Sequence, residues 1–221
     1  MRRLTAAAFV SLDGVMQAPG GPTEDPTGGF DHGGWVFGVG DDVIDPVLGE
    51  LFTPPYALLL GRRTYDIFAA YWPYVEGPEA GMGTALTAAD KYVLTRGDAP
   101  LDWANSHRLS GIDAVAALKA SEGADLLIQG SSTLYPPLLA AGLIDRLVLM
   151  TCPVLLGTGK RLFGTGTPAG SWRLLDSSIG TKGVVVTQWE PAGTIDTGRS
   201  PPPSTSAAET DRQARMARGA W

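Results

Sequence analysis

Soft metal ligands and surplus positive charge are what this 221-residue sequence has least of, with one cysteine, Cys152, and two histidines, His32 and His107. A lone thiol forms no disulfide within the chain, and so few soft ligands assemble no Cys/His zinc cluster. Lys and Arg total 17 against 23 Asp and Glu, a net charge of −6. That balance excludes a broad nucleic-acid face, which needs a basic surface, whereas one anionic small molecule needs only one or two local arginines. Long apolar runs are missing too. None approaches the roughly 20 residues of a membrane span, and the segment after Met1 meets Asp13 too soon for a secretory leader. The expectation is a soluble, cytoplasmic protein with no membrane and no nucleic-acid partner. Internal repeats are also absent.

Glycine is plentiful, and its placement carries the first functional signal. In the stretch 125–134, DLLIQGSSTL, a short apolar run without alternation ends in Gly130 and two hydroxyl residues. This pattern reads as a strand buried on both faces that turns tightly into a helix. Such a turn suits phosphate: Gly130 admits a ligand to the backbone, Ser131 and Ser132 add donors, and the helix N-terminus favours an anion. Equally, it reads as a plain strand–turn–helix connection.

Two more junctions repeat the theme. Residues 56–60, YALLL, run into Gly61-Arg62-Arg63-Thr64, which opens a helix reaching about Trp72. Two arginines oppose the helix dipole there, which makes sense if a phosphate sits between them; as solvated surface charges they need no ligand. Residues 91–95, KYVLT, end in Thr95-Arg96-Gly97. If the three strands are parallel neighbours, their turns share one sheet edge, where open α/β sheets bind ligands.

The remaining chain frames these junctions. Residues 4–12 read as the first strand, with its exit at Asp13-Gly14, and 14–40 as a long Gly/Pro-rich loop carrying Trp35 and Phe37. Such a loop either closes over a ligand or is pinned to the core by its aromatics. Asp45-Pro46 reads as a helix start with Asp45 as N-cap. Residues 111–122 read as a helix, and Pro136-Pro137 delay or kink the helix after Ser131. Strands at 145–155 and 183–190, with a shorter one near 173–179, suggest an antiparallel edge on a parallel core. Cys152 falls inside a strand and reads as a small core residue. The stretch 157–161, GTGKR, lacks the first glycine and the Ser/Thr of a phosphate loop. From 191 to 221 the Pro/Ser/Thr-rich composition reads as a disordered tail, with a marginal helix over 207–218, so the folded domain is 1–190.

The blocks SLDGVMQAPGGP (11–22), GGFDHGGW (28–35), LLLGRRTYDIFAAYWP (58–73), LLIQGSSTL (126–134) and PVLLGTGKRLF (153–163) together resemble the dihydrofolate-reductase-like family that includes the C-terminal reductase domain of the riboflavin-biosynthesis enzyme (RibD). Five blocks in one order are more specific than any single glycine turn. The resemblance implies a single-domain, three-layer α/β fold: a mixed, mostly parallel central sheet with an antiparallel edge and helices on both faces. It also implies NADPH across the strand ends and, commonly, a homodimer. By this similarity Gly61, Arg62, Arg63 and Thr64 hold the pyrophosphate and ribose phosphate. Thr95 and Arg96 meet the 2′-phosphate, and Gly130, Ser131, Ser132 and Thr133 the pyrophosphate and nicotinamide side. A doubly charged 2′-phosphate is best met by an arginine fork and a hydroxyl, which selects NADPH over NADH.

Two departures stand out: the zinc deaminase half that accompanies the riboflavin reductase is missing, and Ser131-Ser132 replace the second glycine common in dihydrofolate reductases. The reading is an NADPH-dependent reductase passing a hydride to a small heterocyclic or carbonyl-type substrate, similar to the ribosylaminopyrimidine reductase of riboflavin synthesis. The alternative is a protein of the same fold that binds NADPH, pterin or flavin without turnover. Asp13 is the candidate substrate anchor, and Asp45 the candidate proton source at the interval from Gly61 seen in dihydrofolate reductases, though Asp45 is also an ordinary N-cap. Asp13, Gln17, Trp35 and Phe37 are the substrate-facing candidates, and no metal is expected. The strands at 145–155 and 183–190, if left at a sheet edge, would invite a second copy. An interaction protein using the proline run 201–203 ranks last, since no basic anchor flanks it.

Overall fold

In the computed structural model, which describes residues 1–198 and 206–219, every strand belongs to one eight-stranded sheet. The strands are β1 (Leu4–Ser11), β2 (Tyr56–Gly61), β3 (Lys91–Leu94), β4 (Ser106–Leu109), β5 (Asp125–Gln129), β6 (Arg146–Cys152), β7 (Trp172–Ile179) and β8 (Val185–Pro191). Their order is β4-β3-β2-β5-β1-β6-β8-β7, parallel from β4 to β6 and antiparallel over the last two. The expected mixed sheet with an antiparallel edge is what forms.

Period-two alternation sorts the side chains into two cores. Leu58, Leu60, Val93, Leu127, Val148 and Met150 face α1 (Trp35–Val39), α2 (Ile44–Leu51), α3 (Arg62–Tyr71) and α4 (Ala80–Ala88). Ala57, Leu59, Leu126, Ile128 and Leu147 face α5 (Ile112–Ala120) and α6 (Tyr135–Ala140). Helices therefore cover both faces, and all six residues of β2 are buried, which is why that strand reads as an unbroken apolar run. Cys152 is fully buried and its thiol is pushed up to about 11 by that burial, as a core residue should be.

Several elements differ from expectation. Helix α2 starts at Ile44, with Val43 rather than Asp45 as N-cap; Asp45 stands in the exposed first turn, and the Ile44 N–H is taken by the Asp41 carbonyl. Strands β6 and β8 are each paired on both sides, so the edge at the antiparallel end is β7 and not the two strands read from their apolar content. Three elements carry too little pattern to be read: α1 inside the long loop, α4, and β4, whose four residues are nowhere fully buried. Helix α6 begins only at Tyr135, with its prolines in the first turn where no N–H is needed. The β7–β8 ladder continues past 190 through the Ala192 N–H to the Ser171 carbonyl (2.8 Å) and the Ser171 N–H to the Gly193 carbonyl (2.8 Å). In the tail, α7 (Ala207–Ala217) is a helix capped by the Ser206 hydroxyl, which accepts from the Glu209 N–H; the proline run 201–203 lies outside the described residues.

Candidate functional site

Because β5 inserts between β2 and β1, the turns after Gly61 and Gln129 become neighbours at the C-terminal sheet edge, with β3 alongside. They are locked together. The Gly61 N–H donates to Ser131 Oγ (2.9 Å) and the Ser131 N–H donates to Thr64 Oγ1 (3.0 Å). Gly130 and Ser131 take the left-handed conformation, with φ of 77° and 60°, and a Cβ at Gly130 would stand 3.2 Å from Thr64 Cγ2. Glycine is therefore favoured at 130 both by its backbone conformation and by the close approach of Thr64. No side chain among the described residues caps α3, whose first residues Arg63 and Thr64 line the cleft together with its N-cap Gly61.

The cleft is lined by Gly61, Arg63, Thr64 and Phe68 on one side and by Gln129 to Thr133 beneath. Ala8 and Phe9 close the back, and Gln17, Glu24, Asp25 and Lys160 form the facing wall. Apart from Lys160, that wall belongs to the long loop, which is pinned rather than free. Gln17 donates to the carbonyls of Asp25 (2.8 Å) and Thr27 (2.9 Å) and accepts from the Lys160 N–H (2.9 Å). Trp35 is buried and its indole N–H donates to the Gln17 carbonyl (2.8 Å). The Lys160 ammonium pairs with Asp25 Oδ2 and donates to Thr27 Oγ1 (2.6 Å), and Arg63 stands 3.9 Å from the same carboxylate. Burial alone would raise the Asp25 pKa, but Lys160 and Thr27 outweigh it and hold the group below its ordinary value.

Other residues singled out from sequence fall elsewhere. Asp13 is spent on structure: Oδ1 accepts from Ser11 Oγ (2.6 Å) and the Leu156 N–H (3.1 Å), and Oδ2 from the Gly157 N–H (2.9 Å). The Ser11 hydroxyl first, then these amides, pull its pKa down to about 2. It staples the 154–157 turn to β1 and does not line the cleft, so its expected role as substrate anchor gives way to a positioning one. Asp45 is on the exposed first turn of α2 and also lies outside the cleft. Phe37 is 70% exposed and lines no part of it. The two arginines of α3 diverge. Arg62 bonds Asp66 and donates to the carbonyls of Ala99 (2.8 Å) and Pro100 (3.1 Å), tying down the loop after β3, while Arg63 alone reaches the cleft.

A second depression lies at the end of β3, lined by Thr95, Arg96, Gly97, Asp98, Arg108 and Ser110. Arg96 is exposed there, whereas Arg108, reaching over from β4, binds the carbonyls of Gly97 and Ala99. Several residues of the two sites were missed from sequence, Asp25 and Gln129 among them. Arg108 lies on an edge strand without alternation, Lys160 in a glycine stretch that fails the phosphate-loop pattern, and Glu24 in a loop with no periodicity at all. Of these last three, only Lys160 left a signal, as the single lysine of GTGK.

Among the described residues no helix is long and apolar enough to cross a membrane, and no group of three or more His, Cys, Asp or Glu could hold a metal ion.

Sheet order, layers and a cleft at the strand ends define a single α/β domain of the dihydrofolate-reductase type. The chain belongs to the RibD C-terminal domain family, whose profile matches residues 2–186. In sequence it is 27% identical over 170 residues to the uncharacterized protein YyaP of Bacillus subtilis, covering 73% of this chain and 80% of that one. In structure it is similar to a putative riboflavin biosynthesis protein from Shewanella (TM-score 0.63, 21% identity, 86% of this chain and 99% of that one). It is also similar to dihydrofolate reductase from Enterococcus faecalis complexed with NADP(H) and RAB-propyl (TM-score 0.55, 15% identity, 86% and 96%). A pyrimidine reductase-like protein from Corynebacterium diphtheriae shares the fold as well (TM-score 0.56, 15% identity, 86% and 92%).

Proposed function

We propose that this chain is an NADPH-dependent reductase that transfers a hydride to a small heterocyclic or carbonyl-type substrate. One observation carries the reading: the interlocked 61–64 and 130–133 turns form a cradle under an uncapped helix N-terminus. The residues fit a dinucleotide. A pyrophosphate suits the first amides of α3, Arg63 and the 130–133 turn, and the exposed Arg96 with Thr95 suits a 2′-phosphate. Gln129 Oε1, buried at the cleft with no hydrogen-bond partner among the described residues, offers an acceptor to a bound amide or amine. The cofactor, when bound, supplies the hydride; the protein supplies the apolar back wall of Ala8, Phe9 and Phe68 and the charged wall opposite. A ribosylaminopyrimidine of riboflavin synthesis is the substrate that the family suggests. We place the protein in the cytoplasm, as a homodimer formed through the open β7 edge.

Titration with NADPH and NADH should show tighter binding of NADPH, and Arg96→Ala should narrow that difference by about 1–3 kcal/mol. Equal affinities in the wild type would overturn the cofactor assignment. A same-fold binding protein without turnover is favoured by one fact, that neither Asp13 nor Asp45 enters the cleft. NADPH oxidation with dihydrofolate, a ribosylaminopyrimidine and a simple ketone separates the two: turnover of any one excludes the binding protein.

A further inference from the structure

We infer that Glu24 is the residue that delivers the proton in this reaction, from the Oε1 side of its carboxyl group; the inference rests on the reductase reading above. Among the described residues, Glu24 and Asp25 are the only acidic groups that line the cleft. Asp25 is committed, since Lys160, Arg63 and Thr27 occupy its carboxylate. Glu24 is not. Its Oε2 accepts from the N–H groups of Gly20 (2.6 Å) and Gly21 (3.2 Å), and its Oε1 accepts no hydrogen bond from the described residues.

The electrostatic surroundings suit an acid that keeps its proton to higher pH than an exposed glutamate. Burial, first, raises the Glu24 pKa above its ordinary value; the two glycine amides oppose this and the Asp25 charge adds to it. Arg63 and Lys160, the cations of the same cleft, both stand on Asp25, which draws off their field. Gln129 Oε1 supplies an independent sign that a ligand belongs here, being a buried acceptor without a partner in the same cleft.

The step balances. Reducing a C=N or C=O bond requires hydrogen with its electron pair at carbon, from the reduced nicotinamide dinucleotide, which is oxidised, and one proton at the heteroatom. As the new C–H bond forms, the π pair moves to the heteroatom and takes the proton from Glu24 Oε1. The carboxylate that remains is held by the Gly20 and Gly21 amides until water reprotonates it.

The test compares wild type, Glu24→Gln and Glu24→Asp, using NADPH with dihydrofolate, a ribosylaminopyrimidine and a simple ketone, together with carboxyl NMR titration of the ligand-free protein. Glu24→Gln should lower turnover about 10²-fold or more, the range for a positioned general acid, and Glu24→Asp should restore part of it. Both should leave the Kd for NADPH unchanged. The alkaline limb of the kcat profile should follow the Glu24 carboxyl in the wild type and vanish in Glu24→Gln. Wild-type turnover by Glu24→Gln, or a Glu24 carboxyl that titrates at its ordinary value, would overturn the assignment. Failure of the wild type to bind NADPH, or to reduce any of the three compounds, would instead overturn the reductase reading on which it rests.

Discussion

Asp13 and Asp41 do the same work at two places in the long loop. Asp13 fixes its start to the 154–157 turn, and Asp41, buried, fixes its end to the β7–β8 turn by accepting from the N–H groups of Lys182 and Val184, both at 2.9 Å. Burial pushes the Asp41 pKa up, but hydrogen bonds from Asp42, Val184 and Lys182 more than reverse this, so that both aspartates titrate near 2 against an ordinary 3.8. A depressed carboxyl pKa stabilises the fold fully above the unfolded value, and that contribution is lost as pH falls through the folded one. Melting temperature should therefore fall between about pH 4 and pH 2. Asp13→Asn should lower the melting temperature at neutral pH, flatten this decline, and leave NADPH affinity unchanged. A large loss of NADPH affinity in Asp13→Asn would return Asp13 to the binding site.

Helix α4 shows how packing overrides propensity. Its sequence, AGMGTALTA, has two glycines and little amphipathic pattern, yet it lies against the 72–75 segment closely enough that a Cβ at Gly83 would fall 2.4 Å from the Trp72 carbonyl oxygen and 2.6 Å from Val75 Cγ1. Glycine here is a contact requirement. The C-terminus of α4 is held by Lys91 of β3, whose buried ammonium donates to the carbonyls of Leu86 (2.8 Å), Thr87 (2.8 Å) and Ala89 (2.6 Å) and stands 4.3 Å from the Trp103 ring centroid. These partners fill carbonyls that a helix terminus leaves open. Gly83→Ala gains helix propensity but should destabilise by about 1–3 kcal/mol, the usual cost of overpacking, measurable by urea unfolding. A stabilised Gly83→Ala would mean that α4 does not pack in this way.

On the scale of the whole molecule, the sheet is closed at neither end, and its β7 edge exposes Leu174, Leu175 and Ile179. Charged edges protect other sheets from association; this one has Arg173 and Asp176 with apolar residues between and beyond them. A second copy pairing about a two-fold axis would cover it. Light scattering at micromolar concentration should give twice the chain mass, and Ile179→Lys should shift the protein to a monomer. A monomeric wild type would leave the edge uncovered and refute the pairing.

The sequence by itself determined the strand–glycine junctions, because an unbroken apolar run followed by glycine and a helix start is local chemistry. It also determined the order of blocks that places the chain in its family. The adjacency of the turns at Gly61 and Gly130 depended on β5 entering between β2 and β1, a pairing between strands more than 60 residues apart. Which arginine faces the cleft was likewise a tertiary matter: successive helical residues are turned by about 100°, so Arg62 and Arg63 cannot both point there. The acids were least legible. An aspartate in sequence shows its charge but not its partners. Only the folded chain consumes Asp13 and Asp25 in hydrogen bonds, leaves Asp45 in solvent, and brings Glu24 to the cleft with one oxygen unpaired among the described residues.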